Sequence, residues 1–314
     1  MPSFCRHNRL VQNCPICSRE QNVAARPLVT GGSASAERVR EPREPRERPE
    51  RPATVRKARV PRSVTKAGGN EVKVRRLARG ADDGFHSALV PGLKSSEDAA
   101  RLAEEMAFAT TRLLVMEAVA GGESHPDADP AWSEIAEDGD LELRTWTAIR
   151  YVLDGPRGLN SDDRAEETIA AFETWTARAG STEGAFTGEP SWTPERRFER
   201  LFERLALPGM TRDPRFELLT LLGGLGLYPV RAGALFLTGE NEATWAAKRA
   251  LGIGDPLLLE RRAAELATES EAPLGALDLA FHNWGSGVRI GAGLADDAEP
   301  DPAVLASALD ALGL

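Results

Sequence analysis

The sequence predicts an all-α domain over residues 81–314, preceded by a small metal-binding module at 1–22 and a basic, solvated segment at 23–80. Three observations lead there. Beyond residue 81 apolar side chains recur at helical spacing, with no run of alternating strand-like residues and no internal repeat. From Arg26 to Arg79 there is no aromatic residue and little large aliphatic content, so nothing offsets the entropy of ordering that stretch. All three cysteines of the chain, Cys5, Cys14 and Cys17, fall at its start.

The charge follows the same division. The net −9 is the sum of +12 over residues 1–80 and −21 over the rest. A basic segment suits phosphate backbones, whereas so acidic a domain must gather any nucleic-acid surface locally from clustered arginines. The run Glu41-Pro42-Arg43-Glu44-Pro45-Arg46-Glu47-Arg48-Pro49 combines frequent proline with alternating charge, which reads as an extended linker. It serves either as a spacer or, through Arg56-Lys57-Ala58-Arg59 and Lys73-Val74-Arg75-Arg76, as an electrostatic tether.

At the N-terminus the spacing is Cys5-x-His7, then Cys14-x-x-Cys17. A C-x-x-C turn brings two thiolates to one ion, and three Cys with one His complete the tetrahedral shell of a structural Zn²⁺. The alternative is free thiols in a reducing compartment. The N-terminus lacks the apolar core of a secretory signal, and no stretch of about eighteen apolar residues suggests a membrane span. The expected setting is therefore cytoplasmic, with no membrane partner.

Within the helical region, Ser96-Glu97-Asp98 starts a helix that continues from Ala99 to about Ala120 with Leu102, Met106, Leu113 and Met116 inward. Further helices are expected at about Leu141–Leu153, Ala165–Ala179, Pro194–Leu205 and Pro302–Leu312. Arg196, Arg197, Arg200 and Arg204 form a stripe on the helix from Pro194, but Glu195, Glu199 and Glu203 interleave it, and the i,i+3 pairs Arg196–Glu199 and Arg200–Glu203 are the pattern of a solvated face.

The most informative stretch is Leu221-Leu222-Gly223-Gly224-Leu225-Gly226-Leu227-Tyr228-Pro229-Val230-Arg231. A helix from Arg215 runs into the glycines, and a second is expected to leave through Val230, Ala234 and Leu235. Two glycines around one apolar residue allow a tight turn whose N–H groups approach a phosphate. An ordinary glycine turn between packed helices is the other reading.

This stretch resembles the hairpin of the helix-hairpin-helix DNA glycosylase superfamily, apolar-Pro-Gly-apolar-Gly, with Gly223 in place of the proline. Ala246-Ala247-Lys248-Arg249-Ala250-Leu251-Gly252 and Leu277-Asp278-Leu279-Ala280-Phe281-His282-Asn283-Trp284-Gly285 resemble later helices of the superfamily. With Phe4-Cys5-x-His7-Asn8, Cys14-Pro15-Ile16-Cys17 and Leu89-Val90-Pro91-Gly92-Leu93, the chain resembles the α-glutamyl/putrescinyl thymine pyrophosphorylase family within it. That resemblance implies a helix-hairpin-helix, glycosylase-like fold and action on a flipped base in DNA, by excision or modification.

It also implies a carboxylate in the loop after the hairpin, where this chain has Glu240 and Glu242 instead of the superfamily's aspartate. Glu242 is the first choice and Glu240 the second; helix capping is the structural alternative. Gly224, Gly226, Tyr228 and Arg231 are the expected DNA contacts of the hairpin. His282, Asn283 and Trp284 are candidates to meet the base, with His282 also a candidate catalytic group. Trp245 reads either as a stacking wall for the base or, as the preferred expectation, as a core aromatic. Tyr228 stands where lyase-competent members carry a lysine, and no cysteine beyond Cys17 is available for an iron–sulfur cluster. Three readings follow: a monofunctional base-excising hydrolase associated with the nucleoid, a non-catalytic DNA-binding adaptor, and a base-modifying transferase.

Overall fold

The strongest helical signal becomes the element around which the others are arranged. In the computed structural model, which describes residues 82–137, 139–158 and 162–314 (162–164 without side chains), helix α1 runs from Ser96 to Ala120. The Ser95 hydroxyl accepts from the Asp98 N–H and caps it. Leu102, Met106 and Met116 are buried as the spacing predicts, while Leu113 is half-buried. The expected zinc ligands Cys5, His7, Cys14 and Cys17, and the linker over 23–80, lie outside the described residues.

Ten further helices follow among the described residues: α2 Pro130–Ala136, α3 Leu141–Asp154, α4 Asp162–Ala179, α5 Thr182–Thr187, α6 Pro194–Arg204, α7 Arg212–Gly224, α8 Glu242–Leu251, α9 Pro256–Glu269, α10 Leu274–Ser286 and α11 Pro302–Leu312. No strand forms among these residues; Ala128 and Leu294 make one isolated antiparallel bridge. The all-α expectation holds, and the helices expected at 141–153, 165–179, 194–205 and 302–312 are present within a few residues. None of the described helices is long and apolar enough to cross a membrane.

Helix α10 is the inner element. It packs on α1 and α8, and α11 covers α1 beside it. Apolar on nearly every side, it is buried on nearly every side, from Ala276 to Phe281 and from Asn283 to Gly285. The segment before α1 is held on α8: the Gly92 N–H donates to the Ala250 carbonyl at 2.9 Å. A Cβ at Gly92 would stand 1.9 Å from the Arg249 carbonyl oxygen, so only glycine permits that approach.

One expected element is absent. After α7 the chain does not form a second helix through Val230, Ala234 and Leu235; it runs without regular structure until Asn241 caps α8. Side chains from distant helices satisfy its backbone. The Glu260 carboxylate of α9 accepts from the N–H groups of Leu235, at 2.8 Å, and Leu237. Arg212 of α7 donates to the carbonyls of Leu235 and Phe236. Bonding the N–H groups of Leu235 and Leu237 to one carboxylate withdraws them from any helical ladder. Phe236, at φ 54°, stacks on Phe202 with ring centroids 4.2 Å apart, which fixes the turn.

A candidate active-site cluster

Three helices and the turn after α3 bring buried charge to one place. Asp278 sits on α10, fully buried among apolar neighbours. Its Oδ2 accepts from Arg157 Nη2 at 2.6 Å, and its Oδ1 pairs with Arg212 Nη2, also at 2.6 Å. Arg157 also donates to Glu217 of α7 at 3.2 Å, and Arg212 to Asp213 at 2.9 Å. Arg112 of α1 pairs with Glu217 and donates from Nε to the Ala292 carbonyl at 3.0 Å. Three guanidinium groups thus face three carboxylates, and each buried charge has an opposite neighbour, the condition for keeping ions out of water.

The cluster sets protonation states. Burial pushes the Asp278 carboxyl up, but Arg157 and Arg212 outweigh it and hold it below its ordinary value. Burial also works against the charge on Arg157, yet Asp278, Glu217 and Asp213 raise its pKa. One helical turn beyond Asp278, His282 is shifted the other way: burial and then the Arg157 charge lower its pKa, against the pull of the nearby carboxylates. Its Nδ1 is buried without a hydrogen-bond partner. His282 is therefore a neutral imidazole with a free ring nitrogen next to a fixed ionic lattice.

A cleft of about 660 Å³ adjoins this lattice. Ala292, which accepts from Arg112, lines it, as does Pro156, the neighbour of Arg157. Tyr151 on its wall donates to Asp129 Oδ2 at 3.0 Å, and burial followed by the Asp129 charge raises its pKa. Asp127, Asp154 and Asp296 also border the cleft. Among the described residues no three His, Cys, Asp or Glu side chains gather to hold a metal ion.

The residues singled out from the sequence are dispersed. Glu240 is exposed in the loop. Glu242 begins α8 half-buried and packs on α10: a Cβ at Gly285 would stand 2.9 Å from its Oε1. Neither belongs to the ionic lattice. Gly224 faces Met116 of α1, Gly226 adopts φ +70° in an exposed turn, and Arg231 is exposed and bonded to Glu195 at 2.9 Å.

Three expected contact residues are structural in this arrangement. Tyr228 is buried, stacks on Phe186 at 5.2 Å and shares a 2.9 Å hydrogen bond with Thr145. Asn283 donates to Glu105 and to the Ile290 carbonyl from inside the fold. Trp284 is fully buried, donates to the Asp98 carbonyl at 3.0 Å and carries the Arg249 guanidinium over its ring. Trp245, expected in the core, is 54% exposed instead. Of the sequence candidates among the described residues, only His282 joins the cluster. Arg112, Arg157, Arg212, Glu217 and Asp278 were not anticipated, although lone charges inside apolar runs, as in Phe216-Glu217-Leu218-Leu219 and Leu277-Asp278-Leu279, are the signal that marks them.

No family model, curated protein or solved structure matches the chain, so the resemblance rests on the quoted residues alone.

Proposed function

We propose that the chain is a DNA-directed enzyme that processes a base, with its acid–base chemistry at His282 rather than in the Glu240–Glu242 loop. The observation that carries this is the half-buried His282 imidazole, disfavoured from protonation by burial and the Arg157 charge, one turn from the ionised Asp278. An imidazole held neutral can take a proton from an attacking water or amine at ordinary pH. Asp278, Arg157 and Arg212 would act through it, as positioning residues that fix the helix and the local field. The sequence resemblance supplies the substrate class, a base in DNA, and places this helix among the superfamily's motifs.

The acidic domain is a poor ligand for a polyanion by itself. The basic segment before residue 81 and a zinc-stabilised module at Cys5, His7, Cys14 and Cys17 would supply the attraction to DNA. Three thiolates and one imidazole suit a structural Zn²⁺, which would contribute folding energy to that module and no step of the chemistry. Deleting residues 1–80 should then weaken DNA binding and flatten its salt dependence; an unchanged salt slope argues against the tether.

The deciding experiment is base release from duplexes carrying modified pyrimidines and common lesions. Wild type is compared with His282→Gln, Glu242→Gln and Glu240→Gln. Release lost in His282→Gln and kept in both glutamate variants supports the assignment. Release lost only in Glu242→Gln moves the chemistry to the loop. Base modification requiring an added amine, without abasic sites, identifies a transferase. A second reading, a DNA-binding adaptor without chemistry, is favoured by the burial of Tyr228, Asn283 and Trp284 and by the missing second hairpin helix. It predicts salt-sensitive binding with no altered base in any substrate.

A further inference from the structure

Helix α8 has one buried side and one narrow outer stripe. Ala243, Ala246, Ala247, Ala250 and Leu251 are buried, with α9 and α10 packed on the helix. Helical spacing then leaves Trp245, Lys248, Arg249 and Gly252 facing outward. Trp245 stands at the centre of this stripe, and it is the only Phe, Tyr or Trp among the described residues that is exposed. An indole is one of the largest apolar groups a chain can bury, and Trp132 and Trp284 are buried completely. Trp245 instead presents a flat ring to water.

The charge beside that ring is opposite in sign to that of the domain. Exposed arginines elsewhere are neutralised by neighbours: Arg196, Arg200, Arg231 and Arg261 each face a glutamate. The described residues contain two lysines, Lys94 and Lys248, and neither has an ion-pair partner among them. Both lysines belong to the surroundings of α8. Lys248 follows Trp245 by about one turn. Lys94 lies two residues after Gly92, whose N–H donates to the Ala250 carbonyl at 2.9 Å. Arg249 adds a third cation, its guanidinium held over the Trp284 ring. The nearby carboxylates are engaged or set apart. Asp83 accepts from the Ser96 N–H and hydroxyl, Glu97 sits in the first turn of α1, and Glu242 is half-buried against Gly285 at the far end of the stripe. In the chain, the +12 of residues 1–80 runs directly into the segment that carries Lys94.

An exposed ring beside unpaired cations fits a ligand that joins a flat aromatic group to an anionic backbone. A nucleic-acid strand has both, and stacking on an aromatic side chain beside a cationic track is how unpaired strands are held. Bases within a duplex stack on one another and offer no free face, so the nucleotide that meets Trp245 must be out of the stack.

We propose that the α8 stripe binds an unpaired nucleotide of a DNA strand, with Trp245 stacked on its base and Lys248 and Lys94 meeting the flanking phosphates. The proposal rests on the DNA-directed reading for its partner and not on the chemistry assigned to His282.

The test titrates the full chain with oligothymidylate, followed by tryptophan emission and, with a labelled strand, by anisotropy. Wild type should bind with quenching of its emission. Trp245→Ala should weaken binding about fivefold or more, the scale of one lost base stack, and remove the quenching. Its melting temperature should change little, because the ring already faces water. Trp245→Phe should recover most of the affinity. A strand of abasic sugar-phosphate should bind wild type as weakly as oligothymidylate binds Trp245→Ala. Lys248→Gln should weaken binding and lower the salt slope by about 0.7, the share of one phosphate in a single strand. If wild type binds no DNA, this proposal and the DNA-directed reading fall together. If wild type binds and Trp245→Ala binds equally well, or the abasic strand binds as tightly as oligothymidylate, the stacking site alone is overturned. Poly-glutamate that displaces the DNA and binds with the same dependence on Trp245 would overturn it in favour of an acidic protein partner.

Discussion

Arginine–carboxylate pairs occur in this protein at both extremes of hydration. On α6, Arg196–Glu199 and Arg200–Glu203 pair at i,i+3 with all four side chains well exposed. Inside, Arg157 and Arg212 hold Asp278 on α10 with the carboxylate wholly out of water. The chemical groups are the same, and burial changes what they do. In water a broken pair is replaced by hydration, so each contributes little. In the interior, losing one member strands the other charge, and the lattice becomes a constraint on the positions of α7, α10 and the turn after α3.

Asp278→Ala tests that constraint most severely. It should cost about 3–5 kcal/mol by urea unfolding, because it removes the carboxylate shared by two buried guanidinium groups and leaves only Glu217 and Asp213 to offset them. A loss below about 1 kcal/mol, the level of an exposed pair, would erase the distinction between the two regions. Glu260→Ala probes a mixed case, one carboxylate holding two backbone N–H groups. About 1–3 kcal/mol should be lost, with amide exchange at Leu235 and Leu237 accelerating more than elsewhere. Unchanged protection there would show that the carboxylate does not organise the segment.

The imidazole gives a pH test of the interior. The folded protein holds the His282 pKa below its ordinary value of 6.5, so below that pH the unfolded chain binds the proton more readily. Stability contributed by neutral His282 is present above pH 6.5 and falls as pH drops through it toward the folded pKa. His282→Gln should flatten the stability profile across that window; an identical slope in both proteins would mean that folding does not perturb the group. The smallest effect is expected on α6, where Arg200→Ala should change stability by about 0.5 kcal/mol or less.

The positions of five helices along the chain were legible because local rules decide them. Ser96-Glu97-Asp98 at the start of α1, prolines opening α6 and α11, and the spacing of Leu102, Met106 and Met116 each mark an element from neighbouring residues. The segment after Gly226 was misread because its backbone partners, Glu260 and Arg212, are more than twenty residues away. The tetrapeptide Phe281-His282-Asn283-Trp284 looked reactive by composition. Its orientation depends on which faces of α10 meet α1 and α8, so Asn283 and Trp284 became supports while His282 turned toward the charge cluster.

By itself the sequence determined the helical class, the bounds of five of the eleven described helices and the charge division, since these follow from residue type and short spacing. Only the tertiary structure decided that Arg112, Arg157, Arg212, Glu217 and Asp278 meet and that His282 joins them. Those outcomes depend on residues more than 100 positions apart brought together by helix packing, and only when water is removed around them do their charges dictate one another's state.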